Sequence, residues 1–200
     1  MNNLYKHIEN LKEKFGLNVI VAINRYSTDT IEEIRCIQQS LEENEIPSSL
    51  VEGWAKGGEG AIDIAQKLVD LTEKEENFKY IYDLQDSIKT KIEKVAKEIY
   101  GAVGVDFSVE ASNEIDRIEK LGYGDLPVCI AKTQYSFSDD AKNLECKGPF
   151  KITIRDVNLK AGAGFIVAIS GKIMTMPGLP KVSAAESIYI DENGKIVGIF

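Results

Sequence analysis

Two hundred residues with 44% hydrophobic side chains suffice to bury a sizeable core as one large domain or two small ones, which excludes a disordered chain. A formal net charge of −8 with no basic block along the chain leaves nothing to neutralise a phosphate backbone, so no nucleic-acid partner is expected. One histidine, His7, and three widely spaced cysteines, Cys36, Cys129 and Cys146, offer no metal-ligand or redox spacing, so the expectation is no metal site and a reducing, cytoplasmic setting.

Leu4, Ile8, Leu11 and Phe15 recur at helical spacing and Gly16 supplies a stop, so the first predicted element is a helix. His7 falls in it and reads as a solvated surface residue. The stretch is charged and has no apolar core of signal-peptide length, and nowhere do about 18 apolar residues run together; secretion and membrane insertion are not expected.

Leu17 to Ile23 is nearly all apolar and rich in β-branched residues, the pattern of a strand covered on both faces of a parallel sheet. Thr30 followed by Glu33 makes a capping box for a helix with an apolar face of Ile31, Ile34, Ile37 and Leu41. Pro47 ends it, Ser48 to Glu52 makes a short strand, and Ala61, Ile62, Ala65, Leu68 and Val69 mark another helix. Strand–helix–strand crossovers are overwhelmingly parallel and right-handed, so both strands finish on the same sheet edge and the loops after them become neighbours.

The charged stretch Thr72 to Lys79 reads as a linker. A long helix follows with Asp83 and Asp86 at its start, Leu84, Ile88, Ile92, Val95 and Ile99 along one stripe, and Gly101 as its cap. A helix over Glu110 to Leu121, a buried strand over Pro127 to Lys132 and a polar loop, TQYSFSDD, come next. From Phe150 the pattern turns β-rich: KITIRDV alternates, GFIVAI is a buried run, and SIYI and IVGIF flank Asp191 to Gly194 as a terminal hairpin. The predicted fold class is α/β, with a Rossmann-like, parallel-sheet half over residues 1–105 and an α+β half with a C-terminal β-hairpin over residues 106–200.

Tyr26 and Trp54 lie just past the two predicted parallel strands, at the edge where open α/β sheets bind ligands. Two aromatic planes one ring apart sandwich a flat heterocycle, with roughly 1 to 3 kcal/mol per stacked face by analogy with stacked bases. The competing reading is that both rings pack helix ends. Gly57, Gly58 and Gly60 open a helix after a strand, where backbone N–H groups receive an anion; glycines there also serve a tight turn. No G-x-x-x-x-G-K-[ST] string occurs, since the Gly171-Lys172 pair has Ile166 at the required earlier position.

The loop from Lys132 to Asp140 gathers an amine, an amide, hydroxyls and carboxylates, with Lys132, Gln134 and Asp139 as candidates for a polar ligand or Mg2+; a solvated loop has the same composition. Residues 171–181, GKIMTMPGLPK, read as a rigid, shielded loop, or as core filled by Met174, Met176 and Leu179.

Five strings carry more than generic pattern: VAINRYSTDT at 21–30, WAKGGEGA at 54–61, SIKTKIEKVAKEIYGAVGVDFS at 87–108, LGYGDLPVCIAKTQYSFSDD at 121–140 and GKIMTMPGLPK at 171–181. In consistent order from about His7 to Phe200, the chain resembles formate–tetrahydrofolate ligase, in its carboxyl-terminal part. The resemblance implies ATP-dependent ligation in which formate becomes formyl phosphate and the formyl group passes to a tetrahydrofolate nitrogen, within one-carbon metabolism. It implies tetrahydrofolate as substrate, ATP and Mg2+ for the complete family enzyme, and a homo-oligomer, typically a tetramer.

The family's pterin pocket corresponds to Tyr26 and Trp54; the first position is commonly Phe, so the Tyr26 hydroxyl is a departure that needs a partner or water. The resemblance also implies a longer amino-terminal region carrying the P-loop lysine, as a partner for this chain; catalytic residues are unassigned and formyl transfer by this chain alone is not expected. Two further readings are a non-catalytic oligomerisation or regulatory module derived from that ligase, and a small nucleotide binder using Gly57 to Gly60.

Overall fold

The computed structural model describes residues 1–146, 148–171, 173 and 181–198. Helix α1 (Asn2–Glu9) runs into one turn of π-helix over Asn10–Lys14. In that turn the buried Asn10 donates its Nδ2 to the Ile99 carbonyl at 2.8 Å, tying the first helix to a distant one. Gly16 ends the segment as expected: its φ is +70°, and a β-carbon there would stand 2.0 Å from the Asn77 carbonyl oxygen.

Strand β1 (Val21–Asn24), helix α2 (Ile31–Glu42) and strand β2 (Ser48–Val51) form the expected crossover, with β1 and β2 parallel and Asn24 opposite Val51. The capping box is present: Thr30 Oγ1 accepts the Glu33 N–H at 3.2 Å and Glu33 Oε2 accepts the Thr30 N–H at 3.0 Å. Leu41 and Ile34 are buried from this face, whereas Ile31 is exposed.

A short helix α3 (Gly53–Lys56), a 3₁₀ stretch over Gly57–Ala61 and helix α4 (Ile62–Thr72) follow. Expected coverage of the first strand on both faces is not found, because β1 alternates half-buried and exposed residues. Its sheet has two strands, and α4 leaves Ile62, Leu68 and Val69 in the open rather than against it.

Helix α5 (Ile88–Glu98) starts later than the two aspartates suggest. Ser87 caps it, accepting the Thr90 N–H at 3.2 Å, while Asp86 accepts the Asp83 N–H at 3.0 Å in the turn before and pairs with Lys94 at 2.6 Å. Carboxylates at 83 and 86 thus close a turn of their own, and the shorter serine side chain takes the cap. Gly101 follows the helix with φ +76°.

A four-stranded sheet takes the order β3 (Gly104–Phe107), β5 (Lys151–Lys160), β6 (Phe165–Ser170), β4 (Val128–Ala131). The outer pairs are parallel and the central β5–β6 pair antiparallel. Strand β3 has no counterpart in the sequence expectations: Asp106 breaks its apolar run, and the four residues become a strand by pairing with β5, where Asp106 meets Lys151 at 2.8 Å.

In β5, Ile152 and Ile154 are buried on even positions and Val157 on an odd one. The register shift between Ile154 and Asp156 accounts for the change of phase, since one inserted residue turns the strand over. Helix α6 (Val109–Lys120) and α5 complete one core with this sheet: Ile88, Ile92, Ala96, Ala111, Ile115, Ile118, Ile152, Ile154, Ile166 and Ala168 are all at or near zero exposure. Strands β7 (Tyr189–Ile190) and β8 (Ile196–Val197) make the C-terminal hairpin about the Asp191–Gly194 turn. Met174, Met176 and Leu179, with most of the 171–181 loop, lie outside the described residues.

Candidate functional site at the edge of the parallel strands

Arg25 and Glu52 are the first residues past the ends of β1 and β2. The Arg25 N–H donates to the Val51 carbonyl at 3.0 Å, extending the ladder one step, and Arg25 Nη1 donates to Glu52 Oε1 at 2.8 Å. Glu52 Oε2 accepts from Lys56 Nζ, at the far end of α3. These hydrogen bonds, Lys56 first and Arg25 second, hold the Glu52 carboxyl below the ordinary carboxylate range.

Tyr26 follows Arg25, and its N–H donates to Asp29 Oδ2 at 2.7 Å, closing a tight turn before the α2 cap. Trp54 sits in α3. Both rings are open to solvent, Tyr26 at 64% and Trp54 at 84% exposure, on segments that leave the same edge of the same strand pair. Among the described residues neither ring stacks on another aromatic ring. Neither therefore serves as filling for a helix end.

The three glycines divide by cause. Gly60 stands against the chain: a β-carbon on it would lie 2.4 Å from the Glu52 carbonyl oxygen, and its own carbonyl accepts the Glu52 N–H at 3.0 Å. Gly57 has φ +59°, a left-handed value that disfavours a side chain. Gly58 has neither constraint and faces open space.

The 132–140 loop lies on the other sheet, just past β4. Lys132 turns its ammonium inward, donating to the Thr133 carbonyl at 2.9 Å and to the Ser136 carbonyl, with its Nζ 5.0 Å from the centre of the Tyr100 ring. Burial pushes its pKa down, against the opposing pull of Cys146 and Asp139. Asp139 Oδ2 accepts the Thr153 N–H at 2.8 Å, anchoring the loop to β5.

Gln134 is exposed and lines two clefts. One, of about 280 Å3, is shared with His7, Tyr100 and Lys132; the other, of about 780 Å3, with Asp139, Asp140 and Thr153. His7 contacts the Phe137 ring at 4.7 Å between centroids. The described residues contain no group of three or more His, Cys, Asp or Glu side chains able to hold a metal ion. They also contain no helix long and apolar enough to cross a membrane.

The sequence expectations single out the aromatics and glycines but not Glu52, which bonds Arg25, Lys56 and Gly60. The signal was present: opposite charges at the carboxyl ends of two strands predicted to be parallel, and a Glu–Lys pair four residues apart across the tryptophan.

Helices connecting parallel strands, with exposed aromatic and charged side chains gathered at the carboxyl edge, define an α/β protein of the open-sheet kind. The chain belongs to the formate–tetrahydrofolate ligase family, whose model matches residues 1–200. It is 51% identical over 198 residues to the formate–tetrahydrofolate ligase of Symbiobacterium thermophilum and 49% identical over 201 residues to that of Limosilactobacillus reuteri subsp. reuteri. Those alignments cover 99% and 100% of this chain but 36% of each relative, so the chain spans about a third of the length of the curated relatives it matches.

Proposed function

We propose that this chain supplies the folate side of formate–tetrahydrofolate ligase, the enzyme that joins formate to tetrahydrofolate at the expense of ATP. In this reading Tyr26 and Trp54 take the pterin between them. The observation that carries it is the exposure of both rings at one edge of the β1–β2 pair, in a family named for its folate substrate. A flat ring entering between them covers two apolar faces otherwise left in water, and its ring nitrogens meet a rim of Arg25, Glu52 and Lys56.

With no Walker string in the sequence, the reading assigns ATP, Mg2+ and formyl phosphate chemistry to the complete ligase, with this chain acting beside the remainder of such an enzyme. Three free thiols, Cys36, Cys129 and Cys146, fit a cytoplasmic setting.

Trp54 is the only tryptophan, so its emission reports on this site alone. Titration with tetrahydrofolate is expected to quench that emission saturably and to release heat in calorimetry. Absence of both, or equal calorimetric affinity in Trp54→Ala, defeats the reading.

A second reading has its own observation. Ile62, Leu68 and Val69 form an exposed apolar stripe on α4, which fits a surface for oligomer contact. Light scattering after size exclusion tests it: a monomer at all concentrations, unmoved by any ligase subunit, removes it.

A further inference from the structure

We propose that Glu52 is the positioning residue that holds Tyr26 and Trp54 at a fixed separation; the inference rests on reading those two rings as the folate-binding pair. Its carboxylate has two oxygens, and each takes a cation from a different loop. Oε1 accepts from Arg25, which adjoins Tyr26, and Oε2 accepts from Lys56, two residues past Trp54. One side chain thus ties the Tyr26 turn to the Trp54 helix across the strand ends.

The main chain of the same residue closes the unit. The Glu52 carbonyl accepts the N–H groups of Ala55 at 3.1 Å and Lys56 at 2.9 Å, and the Glu52 N–H donates to the Gly60 carbonyl at 3.0 Å. Trp54 therefore lies inside a turn that the Glu52 main chain closes.

Thermal stability is a weak explanation for this arrangement. Half-exposed ion pairs add little to it, and the partners here are 38% and 56% exposed against 19% for Glu52. A carboxylate shared between two loops limits their motion instead. Exposed rings on such loops would otherwise have to be ordered at the moment of binding, which weakens affinity.

Glu52→Gln keeps the volume and removes the double acceptor, because an amide offers one oxygen and turns an N–H group toward the other cation. Two measurements on the full chain read the result. Without ligand, Trp54 fluorescence anisotropy should fall in Glu52→Gln while the far-ultraviolet dichroism stays unchanged. With tetrahydrofolate, binding should weaken roughly three- to tenfold, the cost of ordering one or two freed side chains.

In a double-mutant cycle with Arg25→Met, the second substitution should add little once the first is made. If Glu52→Gln does not fold, Lys56→Met replaces it, with a smaller loss expected in both readouts. Unchanged Trp54 anisotropy, or tetrahydrofolate binding as tight as in the unsubstituted chain, overturns the positioning role while leaving the aromatic pair standing. An unsubstituted chain that binds no tetrahydrofolate overturns both.

Discussion

Lys91 of α5 is buried to zero exposure and donates its ammonium to the Gly124 carbonyl at 2.6 Å and the Leu126 carbonyl at 3.1 Å. The turn between α6 and β4 is pinned to α5 by this one side chain, and β4 delivers the 132–140 loop. Lys91→Ala leaves two carbonyls without a donor and a cavity where the alkyl stem lay, a loss of about 3 to 5 kcal/mol. Lys91→Met keeps the volume and should cost about half as much. Urea unfolding of the two variants checks the order, and equal costs would show that the carbonyls, not the stem, dominate.

Lys91 also sets a pH dependence. Burial pushes its pKa below the ordinary 10.5, opposed by Asp125, Asp86, Glu119 and Asp83 in that order. A lysine with a lowered folded value holds fewer protons in the native state than in the unfolded chain across the interval up to 10.5, so stability rises with pH through that interval. Below it the difference between wild type and Lys91→Met should be constant, and above the lowered value wild type should gain on the variant. Denaturation midpoints of both proteins from about pH 7 to the alkaline limit of folding measure this; a wild type that loses ground to the variant with rising pH contradicts it.

Gly60 and Gly58 make a controlled pair. A β-carbon on Gly60 meets the Glu52 carbonyl oxygen at 2.4 Å, a backbone atom that cannot turn aside, whereas one on Gly58 meets nothing within 4 Å. Gly60→Ala should destabilise by about 1 to 3 kcal/mol, as overpacking does, and Gly58→Ala should be nearly silent. Thermal melts distinguish them. A Gly58→Ala variant with normal stability but altered anion binding would instead point to an anion at the Gly57–Gly60 turn.

Trp54 and Tyr26 should separate binding from folding. Trp54→Ala removes an 84% exposed ring, so its melting temperature should stay within a degree or two of wild type, since exposed sites change stability by about 0.5 kcal/mol at most. Tetrahydrofolate affinity should fall by about 1 to 3 kcal/mol, the worth of one stacked face. Tyr26→Phe keeps the face and should lose little; Tyr26→Ala should resemble Trp54→Ala. Calorimetry on the three variants decides, and a loss in Tyr26→Phe as large as in Tyr26→Ala would place the hydroxyl, not the ring, in contact with ligand.

Ser108 links two elements through one hydroxyl. Its Oγ accepts the Ala111 N–H at 2.9 Å as the cap of α6 and donates to the Arg155 carbonyl at 2.8 Å, beside the β5 bulge. Ser108→Ala should cost about 1 to 2 kcal/mol, near the upper end for a cap because a second bond goes with it. Ser108→Thr should recover most of that loss in the same unfolding assay.

The strand–helix–strand unit was legible because its signals are local. Thr30 and Glu33 announce the α2 start, apolar β-branched runs announce β1 and β6, and the crossover rule supplies the parallel pairing. Strand β3 was hidden because four residues interrupted by Asp106 become a strand only through β5, and Ser87 was hidden as the cap because Leu84 extends the apolar stripe one turn back, to Asp83 and Asp86. Lys132 and Asp139 were legible as polar residues in a loop, but their inward bonds to Ser136 and Thr153 depend on how that loop folds back on β5.

The family, the α/β class and the placement of Tyr26 and Trp54 past one edge of two parallel strands came from sequence alone, since residue strings, apolar periodicity and the handedness of crossovers are properties of the linear chain. The joining of their loops through Glu52, the burial of Lys91 under a distant turn and the phase change in β5 came only with tertiary structure. Each joins residues tens of positions apart or depends on a partner strand's register, and a chain's local pattern carries no record of which distant carbonyl or carboxylate will close such a contact.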